Sequence, residues 1–153
     1  MGRQKGFTLM EIIVVVGIIV MLAAFAIPQV LRARMNANET TVISALRTIS
    51  TALQSYYSAV LPHTYPPTLL ALAATSPSYI DFALAQATAV ATARHGYYYV
   101  YNLEDAEHFT VVARPSAFNY TGGRNFFIDE LGLTTFNNTE GTDPDENSPP
   151  VAQ

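Results

Sequence analysis

Glu11 stands at the edge of a run, Ile12 to Leu31, that contains no charged residue. A carboxylate there has two fates. It is solvated at headgroup level, or it enters an apolar surrounding and needs a cation, since a charge in lipid costs about 2.5–3.5 kcal/mol on insertion scales. Other residues with chemical potential lack a partner set. His63, His95 and His108 share no metal-ligand spacing. Asp143, Asp145 and Asn147 alternate oxygen-bearing side chains as at the start of a calcium loop, but Ser148 occupies the sixth position, where such a loop turns on glycine. Calcium there is kept as a candidate, and otherwise no cofactor is expected. No G-x-S-x-G, H-E-x-x-H or G-x-x-x-x-G-K-[ST] motif occurs, so no enzyme is expected.

The elements that place Glu11 follow from composition. Of 153 residues, 50% are hydrophobic and 13% charged, where about a quarter is typical of soluble domains. The apolar excess sits in Ile12–Leu31, whose 20 residues span ~30 Å as a helix, enough to cross a bilayer core. Arg3 and Lys5 precede it and favour a cytoplasmic N-terminus, while Arg32 and Arg34 behind it weaken that asymmetry. From Tyr101 onward nine acidic residues face two basic ones, Arg114 and Arg124. With a net charge of −4 and scattered cations, nucleic acid is not expected as the main partner. No cysteine is present to close a disulfide.

Three readings of the apolar run compete: a plain membrane anchor, a signal peptide cut after Ala24-Phe25-Ala26, and a leader cut in front of the run. Gly6-Phe7-Thr8-Leu9-Met10-Glu11 resembles the processing motif of type IV prepilins. The resemblance implies that a basic six-residue leader is removed between Gly6 and Phe7 by a prepilin peptidase, that Phe7 is N-methylated, and that Glu11 becomes the fifth residue of the mature chain. The new amine of one subunit would then neutralise Glu11 of its neighbour, an unpaired charge in an apolar core being heavily penalised. Pro28 also falls where many members carry proline. The implied function is a structural filament subunit, self-assembling from the inner membrane on an assembly platform into a surface filament. The alternative is a type II secretion pseudopilin acting in the periplasm. A soluble exported binding protein is the third reading.

Met35, Val42, Leu46, Ile49, Leu53, Tyr56 and Val60 mark one helical face, with Asn36, Asn38, Glu39, Arg47, Thr48 and Gln54 assigned to the other. One helix is therefore expected over residues 7–61. Gly17 and Pro28 lie inside it, as a bend or as a stretch that unwinds on assembly; a helix-interior proline costs ~3 kcal/mol. Residues 62–136 read as an α+β head. Helices are expected over 68–75 and 80–94. Strands are expected at 97–101, 109–113 and 125–129, with 133–136 as an optional fourth, forming a small antiparallel meander of three to four strands against the helix. Residues 137–153, rich in Asn, Pro, Asp and Glu, read as an acidic, flexible tail.

Overall fold

The computed structural model describes residues 6–151; the leader cations Arg3 and Lys5 lie outside them. The chain divides into two units, Met1–Arg34 and Met35–Gln153, with helix α1 (Leu9–Ala59) contributing to both.

In the first unit α1 runs unbroken through Gly17 and Pro28. Phe7 and nearly every side chain as far as Arg34 are exposed. The helix is long and apolar enough to cross a membrane. An isolated surface of this kind is unfavourable in water at roughly 25 cal/mol per Å² of apolar area, so it requires lipid or other protein around it.

In the second unit the centre of the apolar stripe of α1 is covered, while Met35, Tyr56 and Val60 are half-buried. Val42, Leu46, Ile49 and Leu53 have no exposed surface. They recur at steps of four, three and four, which keeps them on one face of a helix turning every ~3.6 residues. The covering sheet is an antiparallel meander in the order β1 (Tyr97–Leu103), β2 (Phe109–Pro115), β3 (Asn125–Asp129) and β4 (Thr135–Asn137). The α+β arrangement of one long helix and a four-stranded antiparallel sheet is thus present. Alternation sets the faces of β1: Tyr97 and Tyr99 are buried while Tyr98 and Val100 are half-buried. Burial pushes the Tyr99 phenol up to about 12, and raises those of Tyr97 and Tyr101 as well. Tyr97 donates to the Arg124 carbonyl at 2.8 Å and Tyr101 to the Pro66 carbonyl at 2.7 Å, so both buried hydroxyls are satisfied.

Two expectations are corrected. The Ala-rich segment 80–94 is not one helix. It forms a single turn, α3 (Phe82–Ala85), and a 3₁₀ turn at Val90–Thr92; the other short helix is α2 (Leu69–Ala73). Tertiary pairing overrides the helix propensity of alanine, because Tyr99 N–H donates to the Ala87 carbonyl at 2.7 Å and draws that residue into the core. The segment from 137 is not free of the head either. Phe136 N–H donates to Pro149 and Val151 N–H to Thr134, while Thr135 Oγ1 donates to the Asp145 carbonyl at 2.8 Å. The Asn125 amide reaches the carbonyls of Thr139 and Thr142, and Arg114 forks onto Asp143.

Candidate functional site

The N-terminal site is built from Gly6, Phe7, Thr8 and Glu11. Gly6, Phe7 and Thr8 precede the first helical residue, Leu9, and are exposed, so the Gly6–Phe7 bond lies in non-helical chain. A Cβ built on Gly6 meets nothing within 4 Å, so nothing in the fold itself requires glycine there. The same holds for Gly17. Glycine at these positions answers to a partner or to backbone freedom, and not to intramolecular packing.

Thr8 and Glu11 form a reciprocal capping box. Thr8 N–H and Thr8 Oγ1 each donate to Glu11 Oε2 at 3.0 Å, and Glu11 N–H donates to Thr8 Oγ1 at 3.2 Å. These bonds occupy orphan donors of the first turn, and the carboxylate also complements the positive end of the helix dipole. Glu11 therefore has an intrachain partner in addition to any neighbour, and the Thr8-x-x-Glu11 spacing is the sequence signature of that box. One carboxylate oxygen, Oε1, takes no part in the box and is available to a second donor.

A second carboxylate of α1, Glu39, departs from the polar face its residue type predicts and lies on the buried one. Glu39 is only 5% exposed. Its Oε1 accepts from Gly123 N–H at 2.9 Å, and its Oε2 from Arg124 Nε at 2.8 Å and Nη2 at 2.7 Å. The Arg124 guanidinium also lies over the rings of Phe126 and Phe136, at 5.4 and 5.1 Å. The signal was available: Glu39 precedes Val42 by three residues and Leu46 by seven, which puts it on the apolar stripe.

The remaining candidates are scattered. The Asp143 carboxylate is held by Arg114, and Asp145 accepts from Ser148 Oγ at 2.7 Å. Asn147 is exposed. The His63 ring contacts the Tyr57 carbonyl, His95 sits at φ 51°, and His108 pairs with Asp105 at 2.8 Å. Among the described residues no three His, Asp or Glu side chains converge as a metal site.

Comparison with known proteins bears on the N-terminal site. Residues 1–27 match the family described as the prokaryotic N-terminal methylation motif. The chain is similar to the type IV wide pilus major component PilA4 of Thermus thermophilus, with 50% identity over 46 residues, 30% of this chain. The match spans about a third of the relative's length, 35%. No solved structure matches the chain. Both likenesses fall on a stretch of the chain and not on the whole of it: the methylation motif on residues 1–27, and the pilus component over 46 residues.

Proposed function

We propose that this chain is a structural subunit of a type IV pilus-like filament, inserted in the inner membrane through α1 before assembly. One observation carries the reading. A prepilin-type Gly6-Phe7 junction and Glu11 stand immediately before or at the start of a helix whose large apolar side chains from Leu9 to Leu31 are all exposed. Lipid covers that surface before assembly, and neighbouring helices cover it afterwards.

Prepilin peptidase removes residues 1–6, and Phe7 carries the new, methylated amine. The unoccupied Glu11 oxygen accepts the amine of a neighbouring subunit while Thr8 continues to hold the other. Pairing two opposite charges in an apolar bundle is favourable only in one axial register, so the ion pair fixes how far one helix slides past the next. Gly17 and Pro28 give the intervening helix a place to yield as it packs. The partners are further copies of the chain, the peptidase and an inner-membrane assembly platform; the structural role requires no cofactor. Mass spectrometry of the mature chain is expected to find methylated Phe7 at its start. A chain beginning at Ile27 would end the proposal. Long sheared filaments containing the chain are expected of a surface pilus, and their absence beside correct processing would favour the short periplasmic pseudopilus.

A further inference from the structure

The loop Ser116–Gly123 is held with more hydrogen bonds than its exposed position needs. Ser116 donates to the Gly96 carbonyl from both N–H and Oγ, at 2.8 and 3.1 Å. Asn119 N–H closes onto Gly122 at 2.8 Å, with Asn119 itself at φ 61°. The Thr121 hydroxyl and N–H both engage Ala117. From α1, the Asn38 amide donates to the Thr121 carbonyl at 2.8 Å, and Glu39 takes Gly123 N–H. A Cβ on Gly122 would stand 1.9 Å from the Tyr97 hydroxyl, so the close approach admits only glycine. At the tip of this immobilised loop is Tyr120, 77% exposed.

A large ring on a pre-ordered support costs little further entropy on binding, and tyrosine is enriched among residues that dominate interfaces. The loop carries no charge between Ser116 and Gly123. A second neutral surface exists on the head. Pro66 to Ala93 contains a single charge, Asp81, and that is paired with Arg94. Between α2 and α3 this surface holds a cavity of about 390 Å³, lined by Leu69, Leu70, Ala85, Gln86 and Thr88. That is the small end of the range for ligand pockets, suited to one ring, with the Gln86 amide and Thr88 hydroxyl as partners for a phenol.

We propose that Tyr120 of one subunit seats in the Leu70–Ala85 cavity of a second copy of this chain. The chain is acidic overall, so two copies repel except where neutral surfaces meet. Ring and cavity are different patches of one head, which makes the contact head-to-tail and open-ended, as a filament needs, and not a closed pair. The proposal rests on the filament reading and names one of its contacts.

The chain has no cysteine, so a full-length Tyr120→Cys/Leu70→Cys variant reports the contact without background. Treatment of intact cells with a short bis-maleimide is expected to give a ladder of dimers, trimers and higher species, absent from each single variant. No ladder, or equal cross-linking by Tyr120→Cys alone, would overturn the contact. Tyr120→Ala is expected to lower sheared filament yield at least about tenfold, the size of an interface anchor, while Tyr120→Phe retains most of it. Full yield from Tyr120→Ala, with the chain present in wild-type filaments, sinks this contact alone. Absence of the chain from wild-type filaments sinks the filament reading and this contact together.

Discussion

The two halves of α1 make the same secondary structure for opposite reasons. Before Arg34 the helix is apolar on all sides and its large apolar side chains are exposed; after Met35 it is apolar on one face, and that face shares a buried core with the sheet. In the first half Thr8 and Glu11 are committed to each other at the helix start. The second half draws its stability from burial, with one carboxylate admitted to the core. Substitutions should therefore separate assembly from folding according to which half they touch.

The largest expected effect is on assembly. Glu11→Ala leaves membrane insertion intact but removes filaments from sheared cell preparations. Normal filament number and length in that variant would break the division between the halves. Next is Leu46→Ala, which should cost the head ~2–5 kcal/mol by leaving a cavity, whereas the same change at exposed Leu22 leaves head melting unaltered. After it comes Glu39→Ala, which takes the carboxylate from Gly123 N–H and from the half-exposed Arg124 and destabilises the head by roughly 1–3 kcal/mol, the scale for leaving such donors unpaired. Melting followed by near-ultraviolet circular dichroism reads both, while the amount of chain in membranes stays constant.

Smaller effects test finer points. Thr8→Ala removes the hydroxyl of the capping box and weakens the first turn by about 0.5–2 kcal/mol. Amide exchange near residues 9–12 should quicken, and Thr8→Ser should restore it. Smallest is the exposed Asp105–His108 contact. Hydrogen bonding to Asp105 raises the His108 pKa, and the bond to Glu107 N–H, followed by that to His108, lowers the Asp105 pKa. The raised histidine contributes fully below its unfolded value of 6.5 and loses that contribution as pH rises through its folded value; the depressed aspartate contributes above 3.8 and loses it as pH falls through its own. Head stability should decline slightly from about pH 6 to 8. His108→Gln should flatten that slope; an unchanged slope would remove the assignment.

What the sequence made legible was what short-range pattern controls. The Gly6-to-Glu11 motif, the uncharged run and the alternating strands at Tyr97–Tyr101 and Phe109–Ala113 are local signals, and the strand positions reappear in the sheet. Illegible features depend on distant backbone. Ala87 leaves helical geometry because Tyr99 claims its carbonyl. Residues 149–151 dock through main-chain bonds to Thr134 and Phe136, on which side-chain composition is silent. Glu39 lay between these cases: its spacing put it on the buried stripe, but its type argued for water, and the partner that reverses this lies 85 residues away at Arg124.

The returning C-terminal segment has a consequence for how copies of this chain can join. The outer edge of β4 is taken by Pro149–Val151, bridging at Thr135↔Pro150, and the segment presents two prolines that have no N–H to offer a further strand. At the opposite border, β1 is occupied in part by Ala87. Strand-by-strand accretion, the usual hazard of an open sheet, is thus blunted at both borders. For the filament subunit proposed above, the route by which sheets become fibres is closed, which leaves side-chain contacts to govern its growth.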